Sequence, residues 1–198
     1  MGLSLDFPDG QTPLDEDEKE GLLISTITTR GELDEFEQLG VEKAMEWTRS
    51  RKFGLQQILT EDFAVELHKM MFGDIWRWAG QFRTTNKNLG ADKSEIRTEV
   101  KKLLDDCRYW VDKNVFPADE IAVRLSHRMV SIHPFPNGNG RHSRLIADIL
   151  VSHGFGQPAF SWGSINLTSP GAARSAYLRA LREADNNDYR SLIAFARQ

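Results

Sequence analysis

The residues of this chain whose types and spacing could do chemistry lie in one stretch, His133-Pro134-Phe135-Pro136-Asn137-Gly138-Asn139-Gly140-Arg141-His142-Ser143-Arg144. A plain connection between two helices needs only a few turn residues. Here Pro134 and Pro136 end the first helix, and Gly138 and Gly140, separated by Asn139, allow turns that side chains would obstruct. The next helix is expected to begin near Gly140, so several amide N–H groups open into the loop. A glycine-rich loop feeding a helix N-terminus is a cradle for anions, because unsatisfied donors and the helix dipole both favour negative charge. Arg141 and Arg144 share the start of that helix, and their forked donors suit phosphate oxygens. His133 stands at the mouth. Its side-chain type takes up protons near neutral pH, so it can accept one from an incoming hydroxyl.

Amphipathic helices are expected to hold this stretch. Leu33, Phe36, Leu39, Ala44 and Trp47 recur at helical spacing over about 32–50, and Phe63, Val65, Leu67, Met70, Met71 and Ile75 over about 61–76. Further helices are predicted at about 94–112, 118–132, 140–153, 170–184 and 187–197, the last two separated by Asp185-Asn186-Asn187-Asp188. Residues 81–94 are rich in Thr, Asn and Gly and read as a short hairpin or exposed loop. Residues 1–20, acidic and interrupted by Pro8 and Pro13, read as an extended arm, with Asp15-Glu16-Asp17-Glu18 a solvated helix start or loop. Phe135 is expected to turn into the core. His142 faces either solvent or the site, and His68 and His153 are packed or at the surface. His127 and His133, six residues apart, do not share a helical face, so no zinc spacing is present.

Bulk properties narrow the class without assigning a function. The chain has 198 residues, 40% hydrophobic and 27% charged, as expected of one soluble globular domain. A net charge of -4 and a pI near 5.8 argue against a protein that holds long nucleic acid. No run is apolar and long enough for a membrane span, and the N-terminus lacks the pattern of a signal peptide. The single cysteine, Cys107, excludes an internal disulfide and fits cytoplasmic residence. The fold class expected is mostly α with one small hairpin.

The 133–144 stretch resembles the signature of the Fic family, His-x-Phe-x-(Asp/Glu)-Gly-Asn-Gly-Arg-x-x-Arg, and departs from it at one position. Gly80-Gln81-Phe82-Arg83-Thr84-Thr85-Asn86, followed by Leu89-Gly90, resembles that family's target-docking flap. The resemblance covers roughly residues 25–197. Pro8-Asp9-Gly10-Gln11-Thr12-Pro13-Leu14 and the Asn in the signature also resemble a subgroup called mobile mystery protein B.

The resemblance implies a Fic-type helical bundle with a small β-hairpin flap near the active site. It divides the chain into an arm (1–24), an inhibitory and first helix (25–50) and a catalytic core (51–198). It implies transfer of AMP from ATP to a Ser, Thr or Tyr hydroxyl of a target protein. His133 would be the general base. Gly138, Asn139 and Gly140 would hold the α- and β-phosphates, Arg141 would neutralise the outer phosphates, and Arg144 would engage the γ-phosphate. The flap, with Arg83, Thr84, Thr85 and Asn86, would pair with an extended target segment as an added strand.

Asn137 stands where most active members carry the Asp or Glu that helps hold Mg²⁺ or Mn²⁺. An amide oxygen can replace that ligand but brings no charge. Phosphoryl or another nucleotidyl transfer, or nucleotide binding without transfer, are the alternative outcomes. Thr28-Thr29-Arg30-Gly31-Glu32 matches most of the family's inhibitory pattern, which leaves two readings for Glu32: a brake that pairs with Arg144, or a carboxylate in the first turn of a helix, where the dipole favours it. The subgroup likeness implies a helix-turn-helix partner, and the helical surface permits a homodimer.

Overall fold

The computed structural model describes residues 14–164, 167 and 171–198. The subgroup-like stretch from Pro8 to Pro13 lies outside these residues. In chain order the helices are α1 (Glu16–Lys19), α2 (Arg30–Arg49), α3 (Leu55–Ile58), α4 (Glu61–Phe72), α5 (Ile96–Asp112), α6 (Ala118–Ile132) and α7 (Asn139–Ile149). A π-helical turn (Leu150–Gly154) and a 3₁₀ turn (Trp162–Ser164) follow, then α8 (Ala172–Asp185) and α9 (Arg190–Arg197). The predicted mostly-α fold is the observed one.

Local chemistry explains the boundaries that matter for the site. Thr29 and Thr60 cap α2 and α4, each hydroxyl accepting from the amide three residues on. At the start of α2 the Glu32 carboxylate reaches back to the Thr29 amide and closes a capping box. Helix α6 ends at His133, which adopts a left-handed conformation (φ 55°, ψ 58°), and Pro134 prevents continuation. Helix α7 then starts behind Gly138, also left-handed at φ 76°.

Helices α6 and α7 form the centre. Leu125, Val123 and Met129 of α6 and Ile146, Ala147 and Ile149 of α7 are buried. Each large apolar side chain so buried contributes roughly 1.5–3 kcal/mol. Helices α5 and α9 pack on α6, and α4 packs on α7 and on α2, which also touches α7.

The segment 81–94 departs from the hairpin expectation. Among the described residues it contains bends and turns and no strand. Its polar backbone groups are satisfied elsewhere. The Arg83 amide donates to Pro134 O (2.9 Å) and the Ala91 amide to Ile132 O (3.0 Å), while Asn86 Oδ1 accepts from the Lys93 amide (2.8 Å). The acidic run forms α1, whose Glu18 and capping Asp15 pair with Lys87 of the flap.

Candidate active site

The loop between α6 and α7 is laced by its own side chains. Asn139 Oδ1 accepts from the Phe135 amide at 2.9 Å and Nδ2 donates to the Phe135 carbonyl at 2.7 Å. Both polar ends of the buried Asn139 side chain therefore hold the loop closed, and its backbone amide is what it offers an anion. Phe135 is fully buried and stacks on the His68 ring, centroids 3.8 Å apart. The turn at Gly138 admits no side chain, because a Cβ there would lie 2.4 Å from the Phe72 ring. The first helical bond of α7 runs from the His142 amide to Gly138 O (2.9 Å). The amides of Asn139, Gly140 and Arg141 precede it, and so have no partner within the helix. Beside Gly140 the space is open, with only the tip of Arg144 3.6 Å from where a Cβ would stand. An anion placed there meets backbone donors and the Arg144 guanidinium.

His133 lies at the other end of the loop, buried. Burial first, and then the charge of Arg83, push its pKa down to about 4, so the imidazole is uncharged at neutral pH. An uncharged imidazole can accept a proton.

Glu37 was not foreseen, and it is the carboxylate that reaches this site. It is fully buried on α2, one turn beyond Leu33. Its Oε1 accepts from Trp76 Nε1 (2.8 Å) and Asn137 Nδ2 (3.2 Å), and its Oε2 pairs with Arg141 Nη2. Glu32, for which a brake on Arg144 and a place in a first helical turn were both open, takes the second and sits at the head of α2. Its carboxylate accepts from the Thr28 and Thr29 amides (2.8 and 2.9 Å), and these bonds hold its pKa low. The signal for Glu37 was its spacing: four residues after Leu33 puts it on the buried stripe of α2.

His68, expected either to pack or to lie at the surface, is packed. It also bridges: its Nδ1 accepts from the Gly80 amide (3.0 Å), which leaves Nε2–H to donate to the Asn137 carbonyl (3.0 Å). Burial above all, with the neighbouring His142 and Arg141, holds its pKa well below the usual histidine range. His142 faces the core rather than the site, its Nε2 on the Ala64 carbonyl (2.9 Å). His127 joins α6 to the α8–α9 corner through Asp185 (2.9 Å) and Tyr189 (3.2 Å).

Arg144 lies over the Tyr177 ring, 5.4 Å from its centroid, and Arg141 over that of Phe72 at 5.1 Å. On the flap, Thr84 is exposed, Thr85 Oγ1 donates to Asp15 (2.8 Å) and Asn86 Nδ2 to Asp92 (2.9 Å). Arg83 is buried against the loop. The structure thus gathers His133, Asn137, the 138–141 amides and Arg141 around one loop, with Arg144 one turn into α7.

The family model described as "Fic/DOC family" matches residues 58–151, the part of the chain that contains this loop. A curated relative, "Protein adenylyltransferase Fic" of Nematostella vectensis, is 26% identical over 168 residues. That match covers 82% of this chain and 37% of the relative, so the chain spans little more than a third of it. Among solved structures, Fic-1 (residues 134–508) of C. elegans superposes with a TM-score of 0.64 at 22% identity, covering 89% of this chain and 51% of that one. BepC of Bartonella tribocorum, a translocated effector solved with bound AMPPNP, gives 0.67 at 17% identity, covering 92% and 97%.

Proposed function

We propose that this protein transfers AMP from ATP to a hydroxyl of a target protein. The observation that carries the reading is an uncharged, buried His133 beside a helix N-terminus whose loop excludes every side chain at Gly138. The adenylyltransferase names of the curated relatives and the AMPPNP in BepC support it.

In this reading the backbone amides at 139–141 hold the α- and β-phosphates, and Arg141 and Arg144 the outer ones. His133 takes the proton of the target Ser, Thr or Tyr hydroxyl as its oxygen attacks the α-phosphorus. The new O–P bond forms as the bond to the bridging oxygen breaks, and pyrophosphate leaves with that electron pair. Positioning and charge compensation supply most of the rate enhancement, since the protein forms no covalent bond itself.

A divalent cation fits as an accessory. No cluster of three or more His, Cys, Asp or Glu that could hold a metal occurs among the described residues, so any ion here would rest on few protein oxygens and the phosphates. The Asn137 amide oxygen, together with the phosphates, would hold Mg²⁺ or Mn²⁺, which would supply charge neutralisation to the triphosphate.

Glu37 also takes the part of brake that the sequence suggested for Glu32. Its pairing with Arg141 must open for the triphosphate to use that guanidinium. The division into arm (1–24), regulating helix (25–50) and core (51–198) follows from this role of α2. The exposed Thr84 side of the flap receives the target segment. A helix-turn-helix partner, suggested by the subgroup likeness, is consistent with the exposed Phe36 and Leu39 on α2. No helix of the described residues is long and apolar enough to cross a membrane, which fits a cytoplasmic target.

Intact-mass measurement after incubation with ATP and Mg²⁺ or Mn²⁺ tests the proposal, with candidate targets and His133→Ala as the control. A gain of one AMP that His133→Ala abolishes is the expected result. A gain of one phosphate instead, or binding without any gain, defeats it.

A further inference from the structure

Arg83 is 3% exposed and has no carboxylate within ion-pair distance among the described residues. Burying a guanidinium is unfavourable unless its donors are met. Backbone carbonyls meet these. Nε donates to His133 O at 2.7 Å, Nη1 to Thr85 O at 2.7 Å, and Nη2 to Ala91 O. Three carbonyls from three separate turns converge on one planar fork, a geometry that lysine cannot copy.

The partners are informative. Thr85 and Ala91 are the two ends of the flap tip. His133 is the residue held left-handed at the end of α6, a conformation that a non-glycine residue keeps only when its surroundings impose it. The closing end of the flap comes equally near. At Gly90 (φ 100°) a Cβ would lie 2.8 Å from His133 Cβ and 2.9 Å from Arg83 Nη2.

We infer that Arg83 is a positioning residue for His133: its guanidinium ties both ends of the flap to the His133 backbone and keeps a fixed positive charge beside the ring. The consequence for chemistry rests on the reading of His133 as the base. The flap, on this account, does more than receive a target. Its folded state and the orientation and charge state of the base are one structural unit.

The charged groups around His133 are Arg83 and Lys87 on the flap. Asp92 and Glu18 temper the first, and Asp15 and Glu18 pair with the second. Arg141 and Glu37 lie beyond the loop. Burial and Arg83 are the two leading reasons that His133 resists protonation.

Imidazole titration by NMR on the full chain tests the inference without ATP or a target. Failure of the transfer reading and failure of this one are therefore separable. Wild-type His133 is expected to titrate far below the usual histidine range. Arg83→Gln, which removes the charge, should raise the proton affinity of His133 by about tenfold, one pKa unit. Arg83→Lys, which keeps the charge and loses the fork, should leave the midpoint low while hydrogen exchange of the 84–92 amides quickens. Equal shifts in both variants would reduce Arg83 to a packing residue and overturn the inference. So would no shift in either.

Should neither variant fold, Gly90→Ala leaves Arg83 in place and wedges it from His133. A folded Gly90→Ala protein with an unmoved His133 midpoint overturns the proposal, as does a wild-type midpoint in the ordinary histidine range.

Discussion

At the scale of single residues, two side chains decide what the site can do. His133 is already uncharged well below neutrality, because burial and Arg83 both disfavour the imidazolium. Transfer should therefore show no acid limb near the usual histidine pKa. Its rate should stay flat between pH 6 and 8 and fall only toward about 4, which a pH–rate profile of self- or target labelling checks. Glu37 is the second. With the carboxylate gone, Arg141 loses its buried partner and becomes available to phosphate. Glu37→Gln should melt at lower temperature than wild type without nucleotide and gain more from added ATP, as thermal shifts with and without ATP will show. Asn137→Asp places a second carboxylate 100 residues away in sequence but in contact with Glu37. It should lower the melting temperature in EDTA and regain it with Mg²⁺, because like charges repel until a cation joins them.

At the scale of elements, the reach from α6 into α7 depends on a turn with no room. Gly138 carries a positive φ and faces the Phe72 ring of α4. Gly138→Ala combines left-handed strain with overpacking, and about 2–5 kcal/mol of stability should be lost, measured by urea unfolding. Most elements were legible from apolar spacing: α2, α5, α6, α8 and α9 begin and end within a few residues of their predicted limits. Helix α4 stops at Phe72 rather than near 76, because Gly73 caps it and the chain turns so that Trp76 can reach Glu37. Of the two readings of residues 81–94, hairpin or exposed loop, the loop is the observed one for a related reason. Thr and Asn patterning signals a turn, and what replaced the strand ladder is an arginine fork and contacts to residues 132–134.

At the scale of the whole molecule, two long-range couplings set stability. The first is a set of buried neutral histidines. His133 and His142 have folded pKa values of about 4, and that of His68 is also depressed, against ~6.5 for an unfolded histidine. Between those limits the unfolded chain binds more protons, so stability is fully present above about pH 6.5 and is lost as pH falls toward 4. Asp148 opposes this, since burial raises its carboxyl to about 7 and its folded form binds the extra proton. Three histidines outweigh one aspartate, so the urea midpoint should drop steadily on acidification from pH 6.5 to 4. The second coupling joins the N-terminal segment to the flap. The Lys87 side chain is 3% exposed between Asp15 and Glu18. Glu18→Gln removes the better buried of its two partners, and amide exchange across residues 84–92 should quicken while that of α6 stays unchanged.

The chemical reading of the loop comes from sequence alone. A histidine, two glycines around an asparagine and two arginines three apart can be read as a base beside a phosphate cradle because each property is local: backbone freedom, helix-terminal donors and side-chain pKa. The helical class was equally readable, since apolar periodicity is a local signal of which face is buried. Tertiary structure alone decided which carboxylate meets Arg141. Glu32 and Glu37 lie five residues apart on one helix, and the first completes a capping box that needs no other element. The second is drawn to the site because α2 packs on α4 with its Leu33 stripe inward, and the buried carboxylate must find donors from Trp76, Asn137 and Arg141. The same holds for Arg83 and His68, whose partners come from segments about 50 and 70 residues distant. Spacing along the chain shows which groups could be buried. Only the packed fold shows which of them meet, because a buried polar group takes whatever partner the neighbouring element presents.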